Sequence, residues 1–337
     1  MQKLKQRILN WFRRNRKRNR PAPEDTSKDD KGDKKDTAEE DLKEIDVEIP
    51  LPPGEGEMPS YFHVGSAAKD CLITGYKLGA WQLQCTTKTN QDFYLSTFGE
   101  GYPTIDSVFG GVEALKESGN WSVSLGWLTT NEYVSEVGVR AKGLGSQWYA
   151  LLKSMIGTKD EVTFKSKLKC GFERNPVKVE VVVPLYNEPL LLGYVVVAPF
   201  ENWLLGYRAS YNMDDKGFDK HALCLGYNNG TTEIGLKLEN FQDLRGSIFQ
   251  RIGERWAFAI KSNLYNSENV KQFAIGVQYD FQNGSLLKAK LRHDSRIGFV
   301  YQSKLGENVD IMYHAAFDGV DPIGGNHKIG VAWHFQC

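Results

Sequence analysis

From Lys77 to Cys337 apolar and polar residues alternate with a period of two, and this pattern limits more than any other what the chain can fold into. QFAIGVQYDF puts Phe273, Ile275, Val277, Tyr279 and Phe281 on one face, opposite Gln272, Ala274, Gly276, Gln278 and Asp280. TFKSKLKC sets Lys165, Lys167 and Lys169 opposite Phe164, Ser166, Leu168 and Cys170, and LLKAKLRH sets Lys288, Lys290 and Arg292 opposite Leu287, Ala289 and Leu291. Successive side chains of an extended strand point to opposite faces, so each segment reads as a strand with one apolar face. NNGTT, NSENV, QNGSL and KLGEN supply turn chemistry between segments, and two Asn-Gly pairs suit tight hairpins. Nineteen segments can be counted, the first near 77–86 and the last near 327–336.

So many one-faced antiparallel strands must hide their edges. Packed sandwiches need a second buried face and propellers a repeated blade motif, and no repeat of blade length is present. A closed barrel with its apolar face in lipid and its polar face in water meets the pattern. Strands of about ten residues match a tilted membrane crossing, and an aromatic content of 12% suits interfacial girdles. The reading is all-β: a transmembrane β-barrel over 77–337, too wide to fill its lumen with side chains and therefore a pore. Lysines at every second position belong on its wet face, where they attract anions and phosphate-bearing metabolites. Residues 59–337 balance 28 basic against 28 acidic residues, which limits that preference to weak selectivity.

Residues 1–58 form a polar extension with 14 charges of each sign. Its first twenty residues hold nine Lys or Arg and no acid, with Leu4, Ile8, Trp11 and Phe12 on one face of a possible basic helix. Binding to anionic lipid is the expectation there. Residues 21–58 are a mixed-charge, nearly aromatic-free linker expected to be disordered. At 59–76, Val64, Ala67, Ala68, Cys71 and Leu72 recur at helical spacing before Gly75 and Gly79, predicting a short amphipathic helix and a joint. No apolar run is long enough for a spanning helix, and no secretory signal is evident. The five cysteines suggest neither a disulfide framework nor a zinc site, and the six histidines lack metal spacing. No catalytic arrangement, cofactor motif or nucleic-acid signature is found.

The stretches YFHVGSAAKDCLITGYKLG, ENWLLGYRASYN, GSIFQRI, IGFVYQSKL and AAFDGVDPIGGNHKIGVAWHFQ lie in an order and spacing that resemble the mitochondrial voltage-dependent anion channel family. Nineteen strands is that family's known number, so the count above is not independent of it. The resemblance implies a mitochondrial outer-membrane pore for ATP, ADP, other anionic metabolites and inorganic ions. It also implies a voltage-gating helix in the lumen over Tyr61 to Thr74, with Lys69 and Asp70 as its charged pair and Gly75 and Gly79 as its hinge. An odd strand number would pair the first and last strands in parallel. The family's nicotinamide-nucleotide pocket would fall on Arg296, Ile297 and Gly298 and on His314 to Asp318. Lys328, Gly330, Trp333 and Phe335 fit the family's last-strand signal, read by outer-membrane assembly machinery.

Departures from the family pattern point to a divergent paralogue. Lys77 replaces a glycine of the joint, Ser66 and Thr74 replace two helix lysines, and Gly143-Leu144-Gly145 lacks the lysine of a family element. Arg296 and His314 replace an apolar and a small hydroxyl residue. Leu125 stands where a lipid-facing glutamate is often found, which removes a feature tied in the family to hexokinase docking and calcium sensitivity. Two alternatives to a metabolite channel remain open at this point: a tissue-specific scaffold or regulator with reduced transport, and a protein-import pore.

Overall fold

The computed structural model describes residues 50, 52–54, 56–76, 81–89, 92–102, 107–143, 145–158, 162–265, 272–325 and 327–337. The extension through residue 49, with its expected basic helix and most of its linker, lies outside the described residues, as do Lys77, Gly79 and Leu144.

Among the described residues, one tight helical turn (Tyr61–His63) and one α-helix, α1 (Ser66–Ile73), precede nineteen strands. The first ten are β1 (Trp81–Lys88), β2 (Phe93–Tyr102), β3 (Ser107–Ser118), β4 (Trp121–Leu128), β5 (Glu132–Gly143), β6 (Ser146–Gly157), β7 (Thr163–Arg174), β8 (Val177–Tyr186), β9 (Leu190–Val197) and β10 (Trp203–Asn212). The rest are β11 (Gly217–Asn228), β12 (Thr232–Glu239), β13 (Asp243–Ile252), β14 (Trp256–Tyr265), β15 (Phe273–Asp280), β16 (Leu286–Arg292), β17 (Arg296–Leu305), β18 (Val309–Asp318) and β19 (Lys328–Gln336). Consecutive strands pair antiparallel, and the ring closes where β1 meets β19 in parallel, from Trp81↔Val331 to Thr86↔Gln336. Closure leaves no unpaired strand edge among the described residues, the condition for a sheet in hydrocarbon.

The alternation read from the sequence sorts onto the two faces as expected. Leu125, Trp127, Leu205, Phe258, Ile260, Phe273 and Ile275 are exposed on the outside, whereas Gln82, Gln84, Ser96, Glu100, Glu113 and Lys288 are covered on the inside. The end where the odd-numbered strands finish is called here the upper mouth. Trp121, Trp148, Trp203 and Trp256, all exposed, ring the outside near it, with Trp81, Trp127 and Tyr133 near the lower mouth. Aromatic girdles at two levels mark where a barrel meets the lipid–water interfaces.

The expected continuous helix over Tyr61 to Thr74 is instead two pieces. Val64 is extended (φ −65°, ψ 116°) and Gly65 left-handed (φ +76°). Ser60 accepts the His63 backbone N–H in a capping box that opens the first turn, and the extended Val64 closes it, neither of which the apolar spacing revealed. A Cβ on Gly65 would lie 2.6 Å from Ser247 Oγ, so the chain kinks where it is pressed against the wall.

Candidate functional site

The N-terminal segment lies inside the barrel, in a trench formed by lumen-facing glycines. A Cβ on Gly206 would meet Tyr61 at 3.0 Å, on Gly226 Val64 at 3.0 Å, on Gly235 the Gly65 nitrogen at 3.1 Å, on Gly276 Leu72 at 2.6 Å and on Gly298 Tyr76 at 2.9 Å. Each therefore removes a side chain where the segment needs room. α1 presents Ala68, Cys71, Leu72 and Ile73, all buried, to Ala259, Phe249 and Ala274. Tyr61 and Val64 pack with Tyr194, Val196, Leu204, Ala222 and Cys224. Burying such side chains stabilises the docked segment by about 1.5–3 kcal/mol each before entropy is counted. The trench was missed from sequence, although glycine at lumen-facing positions of β10, β11, β12, β15 and β17 was its signal.

Polar clamps hold the segment at both ends. At the upper mouth the Met58 N–H donates to Glu173, and Lys178 Nζ donates to the Met58 carbonyl at 2.9 Å while pairing with Glu173 at 2.8 Å. Arg140 reaches Glu57 at 3.4 Å. Along α1, the Ala67 N–H donates to Glu233 at 3.1 Å. Lys288, only 4% exposed, donates to the Asp70 carbonyl at 2.8 Å and lies 3.3 Å from its carboxylate. Lys69 and Asp70 thus act separately: Asp70 is held by β16, and Lys69 turns toward β12 and β14. Past the helix, Gly75 (φ +90°) sits against Met312 and Val300, and Lys290 lies 4.4 Å over the Tyr76 ring.

The two lysine strands predicted to line the pore therefore differ. On β16, Lys288 and Lys290 face the N-terminal segment, and Arg292 pairs with Asp294 at 3.4 Å. On β7, Lys165, Lys167 and Lys169 are lumen-facing, and the last two line a cavity of about 710 Å³ between the wall and the N-terminal segment. Lys69, Lys153, Arg208, Lys237, Arg245 and Lys261 complete its basic lining, against one carboxylate, Glu239. Arg245 pairs with Glu239 at 3.2 Å and Lys169 with Glu180 at 3.3 Å. Lys69 is partly buried there with Lys237 and Lys261 beside it. The cavity is thus a strongly cationic site on the inner side of the wall.

Of the residues of the expected nucleotide pocket, Arg296, Gly298, His314 and Asp318 share the inner face of β17 and β18, where Arg296 stands opposite Asp318 and Gly298 opposite Ala316. Ile297 points outward, 37% exposed. Gly298 is covered by Tyr76 of the same chain, and Arg296 turns toward Asp294 at 3.6 Å in the lower turn. His314 is buried between Val300 and Gly330, and the Asp318 N–H donates to His327 Nδ1 at 3.2 Å. On β19, Lys328 and Gly330 face inward while Trp333 and Phe335 face outward, Phe335 in register with Cys85. All five cysteines are free.

A closed barrel with lipid-type aromatic girdles outside, and a docked helix beside a cationic water path inside, defines a pore-forming membrane protein. The sequence profile of the eukaryotic porin family matches residues 57–330, and the chain belongs to that family. It is 27% identical over 285 residues to a Voltage-dependent anion-selective channel of Drosophila melanogaster, covering 83% of this chain and 99% of the relative. It is 26% identical over 285 residues to the Non-selective voltage-gated ion channel VDAC3 of Homo sapiens, with the same coverage. A solved mutant of the Rh. blastica porin is similar over 70% of this chain and 96% of its own, at 8% identity and a TM-score of 0.46. The barrel described here stands on its own strand registers.

Proposed function

We propose that this protein is a voltage-responsive, weakly anion-selective channel that passes metabolites such as ATP and ADP, and small ions, across the mitochondrial outer membrane. The observation that carries this reading is the lysine-rich cavity between α1 and the β7, β12 and β14 walls, which supports a positively charged ion path beside the docked N-terminal helix. The named relatives and family membership support the voltage response and the membrane. Planar-bilayer recording of the refolded full chain tests it: a large conductance that closes with voltage, with a reversal potential in a salt gradient on the anion side, is expected. Absence of any voltage-closing conductance, or a cation-side reversal, would overturn it.

A second reading is favoured by the clamps at Met58 and Asp70, which fasten the N-terminal segment at two points. In it the barrel gates little and serves as a scaffold whose basic residues 1–20 hold anionic lipid or a partner. Removing residues 1–49, which spares both clamps, separates the two: a channel keeps its conductance, and a scaffold loses its partners.

A further inference from the structure

We propose that Cys85 and Cys337 form a reversible redox staple across the closing seam of the barrel. The seam is the one parallel pair among the described strands, and parallel pairing is slightly less stable per residue than antiparallel. Beyond β19 the ladder continues: the Cys337 N–H donates to the Thr86 carbonyl at 2.9 Å and the Lys88 N–H to the Cys337 carbonyl at 3.4 Å. This places Cys337 opposite Thr87, on the same outer face as Cys85 two residues back. The two sulfurs stand 3.7 Å apart, and a disulfide needs them at about 2.05 Å. Cys337 is exposed and lies outside the regular strand, so the approach falls on the less restrained partner. Of the other thiols, Cys71 on α1 and Cys224 on the wall are buried in the docking contact, and Cys170 belongs to β7, several strands around the wall.

The oxidant is a small disulfide such as glutathione disulfide. The Cys337 thiolate attacks one of its sulfurs, forming a mixed disulfide and releasing one glutathione thiolate. The Cys85 thiolate then attacks the Cys337 sulfur, releasing the second. Two electrons pass from the cysteines to the reagent, and the two thiol protons end on two glutathione thiols. The bond would join positions 252 residues apart, closing nearly the whole barrel into one loop. Long loops are where a cross-link most restricts the opened chain. Both sulfurs are on the outer face, so the pore is untouched.

The test uses the full chain in liposomes, treated with glutathione disulfide or with dithiothreitol. Peptide mapping is expected to show Cys85 joined to Cys337 and an intact mass lower by two hydrogens. Unfolding by heat in detergent should slow by at least about tenfold and recover its rate on reduction, with conductance unchanged. Cys85→Ser or Cys337→Ser should abolish the link and leave a glutathione adduct on the remaining thiol. Persistent glutathione adducts on both sulfurs, a link to Cys170 instead, or a linked protein that unfolds as fast as the reduced one would each overturn the proposal. The link, the adducts and the unfolding rate do not depend on whether the pore conducts or what it selects.

Discussion

Lys69 shows how much a single lumen position can set. Its ammonium is partly buried on α1 with Lys237 and Lys261 beside it, so one side chain adds to a crowd of like charge. Lys69→Met should leave the barrel intact and lower the anion preference read from the reversal potential, and an unchanged reversal potential would take this lysine off the ion path. Gly276 is the complementary case, because a Cβ there would reach Leu72 at 2.6 Å. Gly276→Val should leave the strand content intact, since valine suits a strand, but push α1 from its seat at a cost of about 1–3 kcal/mol. Faster limited proteolysis near residue 70 without loss of strand signal in circular dichroism is the expected result.

At the level of elements, strands with the same alternation have different tasks. Replacing Lys165, Lys167 and Lys169 by Gln should weaken anion preference with the helix still docked. Lys288→Met, which removes the bonds to Asp70, should destabilise docking by about 1–3 kcal/mol and shift the voltage of closure more than the selectivity. Reversal potentials and closure voltages measured on both variants check this, and equal effects on both readouts would erase the distinction. Sequence periodicity could place the lysines of both β7 and β16 on the wet face, because facing depends only on a period of two. It could not separate them, because which lysine meets a helix depends on where α1 lies, a contact made across more than 200 residues. The strands were legible almost to their ends for the same reason, each being specified by its own residues and turns. The kink at Gly65 was not, since it answers to Ser247 on a strand that local spacing does not see.

For the whole molecule, the assembly address and the extension can be tested on the intact chain. Trp333→Ala with Phe335→Ala should leave Lys328 and Gly330 in place yet block insertion into mitochondrial outer membranes, measured as loss of carbonate-resistant protein; normal insertion would remove the address. Residues 1–20 should bring the full chain to anionic vesicles at low salt and release it as salt rises. The odd number of strands sets where the two ends of the barrel wall lie. β1 starts at the lower mouth and β19 ends at the upper one, so a chain wound this way would have its two tails on opposite sides of the membrane. The segment from Met58 to Tyr76 undoes that separation. It rises through the lumen from the foot of β1 to the Glu173 and Lys178 clamp, a twentieth crossing made without a place in the sheet. Met58 and Cys337 consequently lie at the same mouth, so a reagent that cannot pass the membrane will find both from one side or neither.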